Sequence, residues 1–334
     1  MARQWSPDDV LRLASSYQQA CVLAAAADLD LFTMLRGRNL AVQTIAKELH
    51  ADARGTRVLL DALAAMELLT KKGSRYSVPA DVAEILSEGG ELSKLAMVQH
   101  QANCMRRWVQ LANVVKTGRP AERVPSIRGQ DADQAAFIEA MDNISAPMAG
   151  PLVATLQPLQ FTHLLDIGGA SGTWTIALLR AVPRATATIF DLPHVIPFAR
   201  ARLAGAGLAD RVTFVEGDFY TDDLPAGADF AWVSAIIHQN DSEQNRDLYR
   251  KVYAALVPGG QIAIRDIVMD ETHTKPTGGA LFAINMLTGT QKGGTYSLEE
   301  IKADLEACGF TDVTLWRRGE WMDSVVRATK PKTS

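Results

Sequence analysis

Three acidic residues stand at the ends of three apolar, strand-like segments in the second half of this 334-residue chain. Asp166 opens the run DIGGASG, Asp191 closes ATATIFD about 25 residues later, and Asp218 follows RVTFVEG. Parallel strands end at the same edge of a sheet, so we expect these carboxylates to lie close together. They can accept hydrogen bonds from ribose hydroxyls and exocyclic amines, and Phe219 offers an aromatic face for a base. The pattern predicts a nucleoside-binding site at this edge.

Simpler interpretations of the same residues stay open. An acid at a strand end is often only the N-cap of the next helix, and a glycine-rich turn can join a strand to a helix without any ligand. The run also departs from the dinucleotide fingerprint G-x-G-x-x-G, because Ala170 stands where the second glycine is required. The dinucleotide fingerprint therefore fails at a diagnostic position.

A histidine and a fourth acid follow the next two strand-like segments. His238 comes just after ADFAWVSAII, and Asp266 closes QIAIRD. An ordinary imidazole has a pKa near ~6.5, which suits proton removal at neutral pH, and a carboxylate on one ring nitrogen turns the other toward a substrate. The pair therefore predicts a general base with an orienting acid. Alternatively, His238 is a structural or surface histidine, and Asp266 pairs with Arg265, although neighbouring strand residues face opposite sides.

The elements that must position these residues alternate between strand and helix from about Phe161 onward. Strand-like runs are separated by helical runs such as TWTIALLRAV, and a further helix is expected from about Ser242 to Leu256. The last two apolar runs, VTLWRR and SVVRAT, are close enough for an antiparallel hairpin. This alternation predicts an α/β fold with a parallel, doubly wound sheet.

The N-terminal half is helical, and part of it has the pattern of a winged helix. Residues 42 to 69 predict helix, turn and helix, and the Lys72-Gly73-Ser74 turn then separates two short strand-like runs. Such a domain can bind DNA, or it can serve dimerisation or cover a substrate. Residues 1 to 100 contain 11 Lys and Arg against 12 Asp and Glu, whereas a DNA-reading domain needs a basic face. The charge balance disfavours nucleic acid as a partner.

The overall composition is that of an ordinary globular chain. Hydrophobic residues make up 47% of it, and the net charge of -4 gives no field that would attract nucleic acid or anionic lipid. The apolar stretch over residues 20 to 27 is too short to span a membrane, and the first ten residues lack the apolar core of a secretory signal, which predicts a cytoplasmic location. Cys21, Cys104 and Cys308 form no C-x-x-C, which indicates buried thiols rather than disulfides or a zinc site.

The runs LLDIGGASG, FDLPHVI, EGDF, SAIIHQND, LVPGG and LFAINML together resemble the S-adenosylmethionine-dependent O-methyltransferases of the caffeic-acid and hydroxyindole type. The resemblance covers essentially the whole chain. It implies a Rossmann-like methyltransferase sheet preceded by an N-terminal, mainly α-helical, winged-helix-like dimerisation domain, and hence a homodimer. The implied domains are residues 1–100 for dimerisation, 101–158 for a helical connector that contributes to the substrate pocket, and 159–334 for binding S-adenosylmethionine.

The resemblance also implies roles for individual residues. His238 stands at the position of the catalytic base, Asp266 at that of its orienting acid, and no metal is implied. A base is needed because a neutral phenol with a pKa near ~10 is a poor nucleophile at pH 7. The implied cofactor contacts are Asp166, Gly168, Gly169, Asp191, Leu192, Asp218, Phe219 and Ser234.

The chain departs from the family pattern at three places. Ala170 replaces the third glycine of the usual run, which adds a methyl group near the cofactor. Gln239 and Asn240 follow His238 where many members have Asp-Trp and use the indole against adenine, so we expect Phe219 to close the adenine pocket. The second acid of many plant members is missing from a shortened later loop, where Tyr296 is nearest to its place.

The acceptor pocket is expected to consist mainly of apolar and aromatic residues from helices on both sides of the sheet segments, with Trp321 as a further candidate. The expected contacts are Met105, Trp108, Met141, Asn143, Phe282, Asn285 and Met286. Such side chains at helical spacing are also typical of a core. We expect a small aromatic or quinone-like acceptor; the alternatives are an N-methyltransferase, a diverged non-methylating member of the fold, or a winged-helix transcription regulator that senses a metabolite.

Overall fold

A computed structural model describes residues 4–332, which group into two compact units. The first unit runs to residue 109 and includes residues 122–143; the second contains residues 110–121 and everything from residue 144 onward. This division differs from the domain limits expected at residues 100 and 158, and those limits stay a prediction.

The first unit is mainly helical and has a small antiparallel sheet with the strand order β1-β3-β2. Its elements are α1 Pro7–Ser15, α2 Tyr17–Asp28, α3 Leu31–Leu35, β1 Leu40–Ala41, α4 Val42–Glu48, α5 Ala53–Ala65, β2 Thr70–Lys72, β3 Arg75–Ser77, α6 Ala80–Leu86, α7 Leu95–Trp108 and the first part of α9 Gln130–Thr155.

The winged-helix pattern predicted for this region is confirmed by α4, α5 and the β2-β3 hairpin. Asp52 caps α5, since its carboxylate accepts a hydrogen bond from the Gly55 backbone N–H at 2.7 Å. Gly73 makes the turn of the hairpin with a φ of +61°, a conformation that favours glycine. Ile45 of α4 and Tyr76 of β3 belong to one buried apolar cluster, together with Phe32 of α3.

The second unit contains the large sheet and the helices on its two faces. Its elements are α8 Leu111–Thr117, the last part of α9, β4 His163–Ile167, α10 Thr173–Ala181, β5 Thr186–Asp191, α11 Ile196–Gly205, β6 Val212–Glu216, β7 Ala228–Ser234, α12 Ser242–Ala255, β8 Leu256–Asp266, β9 Val268–Met269, α13 Thr277–Gly289, β10 Tyr296–Ser297, α14 Leu298–Ala307, β11 Thr311–Arg317 and β12 Ser324–Thr329, with 3-10 turns at Ala209–Arg211 and Ile237–Gln239.

The predicted parallel sheet and its antiparallel hairpin are both confirmed. The seven strands follow the order β11-β12-β8-β7-β4-β5-β6; β4 to β8 are parallel, while β11 and β12 are antiparallel additions. After β4, the chain adds β5 and β6 on one side of β4 and then adds β7 on the other side. Ligands of such sheets bind outside the carboxyl ends of the strands at this switch point, here between β4 and β7.

Two buried clusters cover the two faces of the sheet. One contains Ile264 and Leu248, and the other contains Trp232 and Leu178. Successive strand residues point to opposite faces, which is why the central strands are apolar almost throughout. No helix among residues 4–332 is long and apolar enough to cross a membrane.

The expectation that all three cysteines are buried is wrong for one of them. Cys104 is buried and Cys308 is partly buried, but Cys21 is exposed. Cys21 belongs to α2, whose buried residues are Ala24, Ala26 and Ala27, and its Sγ lies 3.8 Å from the Sδ of Met105.

Candidate active site

The glycine-rich turn after β4 brings backbone, not side chains, to the sheet edge. Gly168 has a φ of +62°, a conformation that favours glycine, and a Cβ there would lie 2.8 Å from Cδ1 of Ile236, which would have to shift. Ala170 also has a positive φ, +48°, although its Cβ disfavours that region. Residues held in such conformations are enriched at functional sites. At residue 170, where the chain departs from the usual glycine run, an alanine therefore adopts a backbone conformation that favours glycine.

Asp166 lies beneath this turn rather than on the surface. It is 1% exposed, and its Oδ2 accepts a hydrogen bond from the Thr175 hydroxyl at 2.5 Å, where Thr175 belongs to α10. Burial raises the pKa of Asp166 to about 7, the hydrogen bond from Thr175 opposes this, and the negative charge of Asp191 adds to it. A cationic ligand at this edge would relieve that repulsion.

Asp191, at the end of β5, is tied to the turn after β4. One carboxylate oxygen accepts from the Ala170 N–H at 2.8 Å and the other from the Leu192 N–H at 2.7 Å. Burial raises its pKa, and both hydrogen bonds counteract that rise. Each oxygen keeps a further lone pair, so the carboxylate can still accept from a ligand hydroxyl.

An aromatic pair follows β6 at the same edge. The Phe219 ring lies 4.6 Å from the Tyr220 ring, and a Cβ at Gly168 would be 3.9 Å from Phe219. The Tyr220 hydroxyl donates to the Asn240 side-chain oxygen at 2.7 Å. Asn240 is completely buried, so it anchors the Tyr220 hydroxyl at a fixed place. Sequence reasoning missed Tyr220; its only signal was its position next to Phe219.

The loop with this aromatic pair is held by a lysine and an acid. Lys251 of α12 donates from Nζ to the carbonyl oxygens of Phe219, Tyr220 and Asp222, at 2.9 to 3.1 Å. Asp218 accepts from the Tyr220 N–H at 2.9 Å through Oδ1. The loop therefore presents a fixed carboxylate and a fixed aromatic surface.

His238 and Asp266 lie side by side in the interior. The imidazole Nδ1 is 3.0 Å from Asp266 Oδ1 and 2.9 Å from Oδ2, and the two residues are 7% and 1% exposed. Asp266 Oδ1 also accepts from the Ile267 N–H at 2.8 Å, which fixes the carboxylate. An ionised carboxylate only accepts hydrogen bonds, so the neutral imidazole has its proton on Nδ1 and its free lone pair on Nε2.

The turn that contains His238 is supported by a glycine pair before β10. The Gly294 N–H donates to the His238 carbonyl at 2.9 Å. A Cβ at Gly293 would lie 2.5 Å from the same oxygen, so the close approach requires glycine. Tyr296, expected near the place of the missing second acid, donates its hydroxyl to the Asn240 carbonyl. Burial is the main reason that the pKa of Tyr296 is raised.

Ser234, at the end of β7, is engaged by a buried cation. Its hydroxyl oxygen accepts from Arg265 at 2.8 Å, and the Arg265 guanidinium lies 4.5 Å from the Trp174 ring centroid. Arg265 is 2% exposed, and its burial lowers its pKa to about 10. The side chain of Arg265 thus bonds to Ser234, while Asp266 bonds to His238. The pairing of Asp266 with Arg265, one of the alternatives from the sequence, is not what the structure has.

The residues expected to contact the acceptor fall in both units. The first unit contains Met105, Trp108, Met141 and Asn143, and the second contains Phe282, Asn285 and Met286 on α13. Phe282 has a ring contact with the dyad of His238 and Asp266: its plane is perpendicular to the imidazole, with the centroids 4.9 Å apart. Within residues 4–332, no group of three His, Cys, Asp or Glu side chains could hold a metal ion.

The family models of two O-methyltransferase domains match this chain. The O-methyltransferase domain matches residues 108–311, and the O-methyltransferase dimerisation domain matches residues 11–93. The first match alone covers more than half of the chain. The chain therefore belongs to the S-adenosylmethionine-dependent O-methyltransferases, as the sequence resemblance predicted, and the winged-helix-like region lies within the dimerisation domain.

Individual relatives include both O- and N-methyltransferases. TcmO, the 8-O-methyl transferase of tetracenomycin polyketide synthesis from Streptomyces glaucescens, is 32% identical over 92% of either chain. The N,N-dimethyltransferase OxyT from Streptomyces rimosus is 29% identical over 90% of either chain. The structure of human N-acetylserotonin methyltransferase in complex with SAM has a TM-score of 0.80 at 25% identity, covering 99% of this chain and 100% of that chain. The predicted fold class and cofactor are thereby confirmed.

The acid-rich edge fits S-adenosylmethionine, which has a positively charged sulfonium. Asp166 and Asp191 both have raised pKa values because burial disfavours their charged forms, and a cation nearby would favour those forms again. The Phe219 ring lies beside the Gly168 backbone and offers a face on which an aromatic base can stack.

Proposed function

We propose that this chain transfers the methyl group of S-adenosylmethionine to a hydroxyl of a small aromatic or quinone-like acceptor, with His238 as the general base and Asp266 as its orienting acid. The observation that supports this most is the buried contact of His238 Nδ1 with both Asp266 oxygens, at 3.0 and 2.9 Å. Such a contact fixes the tautomer that leaves Nε2 able to accept a proton.

The base is required by the acceptor. When bound, the cofactor supplies an electrophilic methyl group on a sulfonium. A neutral phenol attacks such a carbon poorly at pH 7, so Nε2 of His238 takes the hydroxyl proton as the oxygen forms its new bond. Asp266 then stabilises the imidazolium through Nδ1–H, without itself taking the proton.

The cofactor is held by residues of the turn after β4 and of the two following strand ends. Asp191 would accept hydrogen bonds from the ribose hydroxyls, Asp218 from the exocyclic amine, and Phe219 would stack on the base. Asp166 is fully buried, so it acts from beneath the turn, through its charge and its bond to Thr175. Gly168, Gly169, Leu192 and Ser234 complete the proposed contacts.

The acceptor class follows from the apolar and aromatic residues expected in the pocket and from the likeness to TcmO, which acts in polyketide synthesis. Nitrogen is the second candidate acceptor, because OxyT is nearly as similar. A turnover screen with labelled S-adenosylmethionine against phenols, quinols, hydroxylated polyketides and aromatic amines decides between them. Mass gain of one methyl on a phenol supports the proposal, and products methylated only on amines contradict it.

We also propose a homodimer formed through the N-terminal half. The helix α1 has no buried residue, and its Val10, Leu11 and Leu13 are each more than half exposed, as is Tyr17 at the start of α2. Large apolar side chains exposed together in this way are typical of a surface that a partner covers. A symmetric pair is the commonest arrangement of identical chains.

A further inference from the structure

Trp321 is a large aromatic side chain close to the proposed dyad, and the proposed proton transfer does not use it. It lies in the loop of residues 318–323 between β11 and β12, and 46% of its surface is exposed. A single exposed apolar residue is ordinary. What distinguishes this one is how firmly its loop is fixed and what its ring contacts.

The loop is fixed at both ends by hydrogen bonds. Asp323 accepts from the Trp321 N–H at 3.0 Å and from the Arg317 guanidinium at 2.6 Å. The Ser324 hydroxyl accepts from the Gly319 N–H at 2.9 Å. Ser324 also pairs with Asp266 across the β12-β8 ladder. The strand β12, which follows the loop, therefore begins beside Asp266, the residue whose carboxylate contacts His238.

The indole continues a series of rings that starts at the imidazole. Phe282 separates the two: its centroid is 4.9 Å from that of His238 and 6.4 Å from that of Trp321, with the Phe282 and Trp321 planes 70° apart. The indole lies directly on the backbone of α13, because a Cβ at Gly278 would be 2.3 Å from the Trp321 ring. Any larger residue at position 278 would push the indole away.

We propose that Trp321 is a specificity-determining residue, which forms the distal aromatic wall for fused-ring acceptors whose reacting hydroxyl lies at His238. This inference rests on the proposed function. An acceptor with one aromatic ring, bound with its hydroxyl at His238, contacts Phe282 but does not reach Trp321. The second or third ring of a fused-ring acceptor extends toward the indole of Trp321. Aromatic contacts add affinity beyond the burial of area, so the wall favours polycyclic over monocyclic acceptors.

The test compares acceptors of one, two and three rings, namely phenol, 1-naphthol and 2-hydroxyanthraquinone. In the parent, kcat/KM should rise with ring number. Trp321→Ala should lower it about 3- to 10-fold for the two larger acceptors, mainly through KM, and leave phenol unchanged. Trp321→Phe should restore most of the loss. The control is Trp316→Phe on β11, whose ring contacts the Arg327 guanidinium. Unchanged affinity for S-adenosylhomocysteine shows that the variants are folded.

Dissociation constants of the same compounds, measured by calorimetry with S-adenosylhomocysteine present, separate this inference from the proposed function. Weaker binding of 2-hydroxyanthraquinone, but not of phenol, in Trp321→Ala supports the aromatic wall whether or not methyl transfer occurs. If the parent binds all three compounds but methylates none, the proposed hydroxyl transfer is wrong. Equal losses for all three compounds, or no loss for any, would overturn the role of Trp321.

Discussion

At the scale of single residues, the site combines acids in unfavourable surroundings with backbone in unfavourable conformations. Asp166 is buried with a pKa raised to about 7, and Ala170 and Ala235 both have positive φ values, +48° and +58°. Each feature costs stability by itself. Ala170 follows β4 and Ala235 follows β7, and both strands end at the proposed site. Backbone strain of this kind is enriched at ligand-binding sites.

The first prediction concerns the acid at the end of β5. Asp191→Ala should weaken S-adenosylmethionine binding by ~1.5–3 kcal/mol, because it removes an ionised acceptor of hydrogen bonds. Titration calorimetry measures this directly. Asp210→Ala, in the 3-10 turn before β6, is the control and should bind like the parent. Equal affinity of both variants would exclude Asp191 from the site.

The second prediction is a pH dependence caused by Asp166. Its folded pKa of about 7 lies above the unfolded value near ~3.9. Between these values the folded state holds a proton that the unfolded state has lost, so the free energy of unfolding should fall as the pH rises toward 7. Thermal melts of the cofactor-free protein from pH 5 to 8 should show this fall, and Asp166→Asn should flatten it. A parallel fall in the variant would assign the effect to another group.

At the scale of elements, the position of His238 relative to Asp266 depends on loops more than on strands. Asp266 is fixed within β8, but His238 lies in a 3-10 turn after β7 that depends on the residues before β10. The carbonyl of His238 accepts the Gly294 N–H at 2.9 Å, and Gly293 packs against the same oxygen. Displacing this turn would move the imidazole relative to its carboxylate.

The third prediction uses this glycine pair. Gly293→Ala should lower turnover at least about 10-fold with little effect on cofactor affinity, since misplacement of a catalytic group by about 1 Å has large effects. The matched control is Gly294→Ala, because a Cβ there meets nothing within 4 Å and its N–H is retained. Steady-state kinetics of both variants check this. Similar losses in both would mean that the loop acts as a whole rather than through contact with His238.

The elements could be predicted from sequence because their signals are local. The helix expected from Ser242 to Leu256 is α12, Ser242–Ala255. Asp191 and Asp266 close β5 and β8, whereas Asp166 lies one residue before the end of β4 and Asp218 two residues after the end of β6. The bonds from Tyr220 to Asn240 and from Arg265 to Ser234 could not be predicted, because they join residues 20 and 31 positions apart. Such contacts depend on strand register and loop packing, for which one sequence has no local signal.

At the scale of the whole molecule, the exposed apolar residues of α1 predict that the chain does not remain alone in solution. The fourth prediction is that Leu13→Asp, at a position 62% exposed, shifts the protein from dimer to monomer in light scattering. Phe198→Asp in α11, at a position 55% exposed, is the control and should leave the dimer intact. A concentration-independent monomer of the parent, or a stable dimer of residues from about 160 onward alone, would contradict dimerisation through the N-terminal half.

The measurement that tests the central claim most directly is the turnover of His238→Ala on acceptors that differ in ionisation. Loss of a positioned base should lower turnover on a neutral phenol by roughly 10²–10⁴-fold, with cofactor affinity nearly unchanged. The loss should shrink for an acceptor already ionised at the assay pH, and Asp266→Asn should show a smaller loss of the same kind. Near-parent turnover on the neutral phenol, or equal losses on neutral and ionised acceptors, would contradict general-base catalysis by His238.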